Sequence, residues 1–246
     1  MTQENSTLIH PIDQEPWVKI PAEVELKQWS KENEIAYNQK NRQAQKLLFF
    51  SNVFDLISTL SIAGDYYEFG CHRARTFRMA LTEAKRHALD SMKFYAFDSF
   101  EGLPEPETKT GMPGYFCGAL KTSVETFNDI IKEHGVYTQQ VYPIKGFFNN
   151  SLTSALQSRL LNEKSKISIV TVDCDLYESA VPIFDFIEPL LQEGSVIYID
   201  DYFVGYKASP ETGPARAFHE FEKKSKFKFC QHMQIGWWGR SFITYI

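Results

Sequence analysis

Ile167-Ser168-Ile169-Val170-Thr171-Val172-Asp173-Cys174-Asp175-Leu176-Tyr177 decides how the chain folds. Its first half is apolar and β-branched, and it then stops in two carboxylates two positions apart. A short continuous apolar run of this kind reads as a strand buried on both faces, as in parallel sheets. Acidic groups at the carboxyl end of such a strand lie where open α/β sheets take their ligands. Ser195-Val196-Ile197-Tyr198-Ile199-Asp200-Asp201-Tyr202 repeats the design. If the two strands are neighbours, Asp173, Asp175, Asp200 and Asp201 meet in one small volume, where they repel unless a cation or a shared proton intervenes.

Outward from that centre, strand and helix patterns alternate. On the amino-terminal side, Val24 to Leu60 carries apolar residues at spacings of three and four, which predicts a helix, and Gly64 closes it. Asp65 to Gly70 predicts a first strand and turn, Arg75 to Ala88 a helix, and Lys93 to Asp98 a second strand. Glu101 to Gly118 holds three prolines and four glycines and predicts a long loop, a feature often tied to function. Ser123 and Gly135 bracket a helix, Val141 to Gly146 forms a third strand, and Ser151 or Thr153 opens another helix. On the carboxyl side a helix over Tyr177–Gln192 ends at Gly194, and Ala215–Lys224 is helical. The last two strands, joined through Gly236-Trp237-Trp238-Gly239, are too close for a crossover and so antiparallel. These elements predict a single doubly wound, mostly parallel, seven-stranded α/β sheet over 61–246, with a terminal hairpin and an N-terminal arm and helical lid over 1–60. Residues 1 to about 25 are polar, with Pro11, Pro16 and Pro21; the aromatics Trp17, Trp29 and Tyr37 suit a lid, a homodimer contact or plain packing.

The bulk properties exclude several classes of function. The 246 residues are 43% hydrophobic and 23% charged, ordinary globular values. A formal charge of −5 offers no basic footprint for nucleic acid or anionic lipid. No apolar run is long enough to span a membrane, and Met1 to Asn5 does not open a secretory signal. Cys71, Cys117, Cys174 and Cys230 form no C-x-x-C pair and read as buried, reduced thiols of a cytoplasmic protein.

Glu68-Phe69-Gly70 occupies the first strand-to-helix turn, where such folds take nucleotide-like ligands. The next residues, Cys71 to Arg75, do not form the G-x-G-x-x-G pyrophosphate loop. A ligand without phosphates therefore fits better than a dinucleotide, which counts against a nicotinamide oxidoreductase. Asp98 ends the second strand, where an acid typically accepts from ribose hydroxyls. His72 and His232 are weaker candidates for a base.

Together with Phe97-Asp98-Ser99-Phe100-Glu101-Gly102-Leu103-Pro104, Gly146-Phe147-Phe148, Asp173-Cys174-Asp175-Leu176-Tyr177-Glu178-Ser179 and Asp200-Asp201-Tyr202, the pattern resembles the macrocin-type O-methyltransferase family (TylF/MycF/NovP-like) over roughly residues 45 to 225. The resemblance implies a class I, Rossmann-like methyltransferase that uses S-adenosylmethionine and a divalent metal. It implies that Glu68, Gly70, Arg73 and Thr76 hold the methionine portion and Asp98 the ribose, with Ser99, Phe100, Gly146 and Phe147 near the adenine. It further implies that Asp173, Asp200 and Asp201 ligate the metal, Mg²⁺ or another hard cation, and that Asp175 is the general base acting on a hydroxyl of a sugar or sugar-bearing small molecule. The family usually carries a glycine-rich pair after its E-F-G turn, where this chain has Ala74 and Arg75. Two alternatives stand beside this reading: a cofactor-binding regulatory protein without catalysis, and a class I methyltransferase with a non-sugar acceptor.

Overall fold

The structure is a computed structural model that describes residues 23–106 and 115–246. The proline-bearing arm with Trp17, and the middle of the loop expected after Glu101, lie outside those residues. The described chain divides between Leu48 and Phe49 into two compact units. The first contains a single helical turn, α1 (Glu23–Leu26), and the start of α2 (Lys31–Thr59). Ser30 Oγ accepts the Asn33 amide at 3.2 Å and so caps α2, and the Trp29 and Tyr37 rings meet edge to face, 5.8 Å apart.

The second unit is built on one sheet of order β3-β2-β1-β4-β5-β7-β6. Its strands are β1 (Asp65–Phe69), β2 (Phe94–Asp98), β3 (Val141–Lys145), β4 (Ile167–Val172), β5 (Leu191–Ile199), β6 (Lys228–Ile235) and β7 (Gly239–Tyr245). The first five are parallel, and β7 runs antiparallel to both β5 and β6. The helices are α3 (Arg75–Arg86), α4 (Val124–His134), a single turn α5 (Phe148–Ser151), α6 (Ser154–Asn162), α7 (Tyr177–Ile187) and α8 (Gly213–Lys224). Every residue of β1 and β4 is buried, as expected of strands covered on both faces. Side-chain alternation sorts the core into two layers. Tyr67, Phe69, Phe97 and Val170 pack with Ile183 and Phe184 of α7 and Phe218 and Phe221 of α8. Tyr66, Phe94, Ile169 and Tyr198 pack with Phe77 and Leu81 of α3, Phe127 of α4, and Phe50 and Phe54 at the end of α2.

Local signals set several boundaries. Ser123 Oγ and Thr153 Oγ1 each accept an amide at 3.2 Å, from Thr126 and Leu156, and cap α4 and α6. Gly135 ends α4 in the left-handed conformation, at φ 72°. The helix expected to reach Gln192 instead ends at Ile187, and Pro189 lies in a short 3₁₀ turn that feeds β5 directly. Proline lacks the amide that another α-helical turn needs, and the chain enters the sheet three residues before Gly194. Cys71 and Cys174 are buried as expected, but Cys117 and Cys230 are exposed. Among the described residues no helix is long and apolar enough to cross a membrane.

Candidate active site at the carboxyl edge of the sheet

Parallel pairing of β4 with β5 puts Val172 opposite Ile199, so the residues just beyond them leave the sheet side by side. Asp173, Asp200 and Asp201 then each offer a carboxylate oxygen within 4.8 Å of the others, the only such acidic group of three or more among the described residues. Asp200 and Asp201 are nearly enclosed, at 5% and 6% exposure. The donor set is all oxygen and triply acidic, which fits a hard cation such as Mg²⁺ and does not fit the nitrogen- and sulfur-rich sites zinc prefers. Asp175, expected as a fourth member, falls outside this group, on a backbone held at φ 61°.

Three aromatic donors surround these acids. Asp200 Oδ1 accepts from the Tyr198 hydroxyl and from the Trp238 indole N–H at 3.1 Å. The Tyr115 hydroxyl reaches Asp201 Oδ1 at 3.5 Å. Burial, reinforced by the charges of Asp201 and Asp175, pushes the Tyr115 phenol well above its ordinary range, so it remains a donor. Sequence reasoning missed Tyr115, Tyr198 and Trp238 as donors to the acids. For Tyr198 a signal existed. A tyrosine two positions before an acid on one strand shares its face, and Tyr66 and Glu68 repeat the arrangement in β1, where the phenol donates to Glu68 Oε2.

The β1 turn is built by close contact. Gly70 has φ 91°, and a Cβ there would lie 1.7 Å from the Asp173 carbonyl oxygen. Glu68 is fully buried, and its Oε1 accepts from Thr76 Oγ1 at 2.8 Å, so the two brace the turn from beneath. Arg73 and Ala74 both take the left-handed conformation, at φ 55° and 49°. The Arg73 amide donates to Thr122 Oγ1 at 3.2 Å, and the same hydroxyl pairs with His72 Nδ1 at 3.0 Å. The Arg73 side chain is exposed.

At the end of β2, Asp98 Oδ2 accepts the Cys71 amide at 2.7 Å and Oδ1 the Phe100 amide at 2.6 Å. Burial raises the Asp98 carboxyl above its ordinary pKa, against the pull of those amides. A carboxylate has about four acceptor sites, so two amides leave capacity for further donors. Ser99 Oγ donates to the Gly102 carbonyl at 2.7 Å and shapes the loop start, while the Phe100 ring is buried against Phe127. The Gly146 amide donates to the Asp98 carbonyl at 2.9 Å, which places Gly146 and Phe147 beside the β2 end. The residues that the resemblance assigned to cofactor, metal and base therefore lie along one edge of the sheet. His232 does not, pairing instead with Ser241 of β7 at 3.2 Å. Tyr177 bonds Glu220 at 2.7 Å and ties α7 to α8.

Over residues 33–239 the chain matches the macrocin-O-methyltransferase (TylF) family. It belongs to that family. It is 26% identical over 149 residues to the 8-demethyl-8-(2,3-dimethoxy-alpha-L-rhamnosyl)-tetracenomycin-C 4'-O-methyltransferase of Streptomyces olivaceus, covering 58% of this chain and 54% of that protein. It is 23% identical over 155 residues to the demethyldecarbamoylnovobiocin O-methyltransferase of Streptomyces niveus, covering 58% and 55%. The chain thus spans about half the length of the curated relatives it matches. The structure of the O-methyltransferase NovP superposes with a TM-score of 0.64 at 19% identity, covering 81% of this chain and 79% of that one, and has the same fold.

Proposed function

We propose that this TylF-family protein is an S-adenosylmethionine-dependent O-methyltransferase that methylates a hydroxyl of a sugar or sugar-bearing small molecule at a site built around a hard divalent cation. The observation that carries the proposal is the convergence of Asp173, Asp200 and Asp201 within 4.8 Å, on the edge that also bears the β1 turn and Asp98. The rhamnosyl substrate in the name of the Streptomyces olivaceus relative supports a sugar acceptor.

In this reading Gly70 and the backbone as far as Thr76 receive the methionine portion of the cofactor, with Glu68 and the exposed Arg73 at that turn. Asp98 accepts from the ribose hydroxyls. Ser99, Phe100, Gly146 and Phe147 enclose the adenine side. Bound S-adenosylmethionine supplies an electrophilic methyl group, and a cation on Asp173, Asp200 and Asp201 supplies Lewis acidity that makes a neighbouring hydroxyl easier to deprotonate. The protein's own task is then positioning and proton transfer. An aligned oxygen gains most of its rate from being held in line, and Asp175, beside the acid group, accepts the hydroxyl proton as the oxygen takes the methyl.

Calorimetry with S-adenosylmethionine, with and without Mg²⁺, and turnover on a panel of glycosides test the proposal. Asp201→Ala is expected to lose Mg²⁺-dependent turnover while binding S-adenosylhomocysteine within twofold of the parent. Full activity in that variant removes the metal assignment. Cofactor binding with no turnover on any glycoside or aglycone points to a regulatory binding protein.

A further inference from the structure

The Gly236-Trp237-Trp238-Gly239 turn joins β6 to β7 at the carboxyl edge, yet its two tryptophans have opposite fates. Trp237 is 57% exposed, whereas Trp238 is 2% exposed with its indole N–H on Asp200 Oδ1 at 3.1 Å. The same oxygen accepts from Tyr198, itself fully buried in β5. Both glycines are shaped around these two rings. A Cβ on Gly236 would lie 2.0 Å from Trp238 Cζ3, and a Cβ on Gly239 would lie 2.9 Å from Tyr198 Cε2 and 3.1 Å from its hydroxyl. The Trp238 carbonyl also accepts the Phe203 amide at 2.8 Å, which ties the turn to the chain just past Asp201.

We propose that Tyr198 and Trp238 are positioning residues of the cation site: they clamp one oxygen of Asp200 and so fix the plane of its carboxylate, and Gly236 and Gly239 make the room that lets them do so. This rests on the proposed role of Asp173, Asp200 and Asp201 as cation ligands. A carboxylate held by one donor can swing about its last torsion, whereas two donors converging on a single oxygen from a strand and a hairpin fix its direction. Donors to a metal-ligating side chain govern affinity because they set the ligand's orientation before the ion arrives, and losing one typically costs about 10- to 100-fold in metal affinity or activity. The clamp also places an indole N–H one bond from a ligand carboxylate, so that occupancy of the site is felt at Trp238.

The test uses the full chain with Mn²⁺ as probe, its affinity read by electron paramagnetic resonance, and S-adenosylhomocysteine affinity read by calorimetry as the check on an intact fold. Tyr198→Phe and Trp238→Phe keep the rings and remove one donor each. Gly239→Ala keeps both donors and displaces Tyr198. Each variant is expected to bind Mn²⁺ about tenfold or more weakly, with S-adenosylhomocysteine affinity within twofold. Mn²⁺ is expected to change the tryptophan emission of the parent and not that of Trp238→Phe. A parent that fails to bind Mn²⁺ refutes the cation reading itself. A parent that binds, with variants that bind equally well, refutes only the clamp. If both phenylalanine variants lose S-adenosylhomocysteine as well, the pair serves fold stability and the inference is overturned.

Discussion

Replacing Gly70 by alanine tests how tightly the cofactor turn and the acid site are joined. The new Cβ would sit 1.7 Å from the Asp173 carbonyl oxygen and 2.8 Å from its carbon. Ordinary non-bonded contacts lie near about 3.5 Å, so the tips of β1 and β4 must part by roughly 1.5–2 Å. The backbone at φ 91° adds a second penalty, since a side chain in the left-handed region costs about 1–2 kcal/mol. Overpacking a rigid site costs about 1–3 kcal/mol more. The expected loss is therefore about 2–5 kcal/mol, a large share of a typical net stability of about 5–15 kcal/mol. Gly118→Ala is the control: φ is 79°, and nothing lies within 4 Å of its Cβ, so only the backbone penalty applies. Urea denaturation of both variants, with S-adenosylhomocysteine and Mn²⁺ titrations of the folded proteins, isolates the clash by subtraction. Gly70→Ala should lose both ligands together, because the atom it strikes belongs to the residue that contributes Asp173 to the acid group. A Gly70→Ala protein as stable as Gly118→Ala, or one that loses the cofactor and binds Mn²⁺ like the parent, would refute this coupling.

Asp175→Asn is expected to slow turnover at saturating substrate by at least about 100-fold, the usual reach of a positioned base, with S-adenosylhomocysteine affinity unchanged; an unaltered kcat places the base elsewhere. Thr122→Val removes the acceptor of the Arg73 amide and the partner of His72, and should raise KM for S-adenosylmethionine several-fold with little effect on kcat, whereas Thr122→Ser should restore it. His72, His134 and His232 all titrate below the ordinary 6.5, chiefly through burial and, for the first two, through Arg73 and Arg78 as well. The folded chain thus resists protonation more than the unfolded one. Their contribution is complete above the unfolded value near 6.5 and is lost as pH falls through and below it. Thermal midpoints should drop between pH 7 and 5.5, and a His134→Gln variant should drop by less; equal drops would remove His134 from the account.

The parallel sheet was legible because a fully buried strand must be apolar throughout, and Ile167–Val172 and Val196–Ile199 are so nearly apolar that their abrupt endings in acids stand out. The convergence of Asp173, Asp200 and Asp201 came from pairing alone, since neighbouring parallel strands end side by side. The donors were less visible. Tyr198 reads as one more apolar residue of a core strand, and only its two-residue spacing from Asp200, repeated by Tyr66 and Glu68, betrays that its hydroxyl has a task. Trp238 reaches Asp200 through a hairpin 38 residues away, a contact no local pattern encodes. Cys230 is exposed because β6 is an edge strand with open positions, a property of sheet order and not of residue type. The overlong expectation for α7 has a plain cause. Pro182 lies inside the helix, but Pro189 follows its last residue, Ile187, in the short turn where the chain enters the sheet.

Four of the eleven non-glycine residues held in the left-handed region among the described residues fall at the site. Arg73, Ala74, Phe100 and Asp175 are non-glycine residues with φ between 49° and 61°, and all four lie just beyond the carboxyl ends of β1, β2 and β4. Each costs on the order of 1–2 kcal/mol in that conformation, so a chain selected for stability alone would place glycine or asparagine there. Ala74 is the telling case: of the Ala74–Arg75 pair where the resemblance led to glycines, only Ala74 bends as glycine does, together with Arg73 before it, while Arg75 at φ −69° is already helical. The conformation survives the missing glycine because its surroundings impose it. Thr122 takes the Arg73 amide, Asp98 takes the Cys71 amide, and Glu68 and Thr76 close the turn from below. Backbone strain held by a rigid frame is characteristic of places where geometry is needed for binding or chemistry. Here the frame is the buried parallel core, and the strain falls on the three loops that carry the cofactor turn, the Asp98 loop and Asp175.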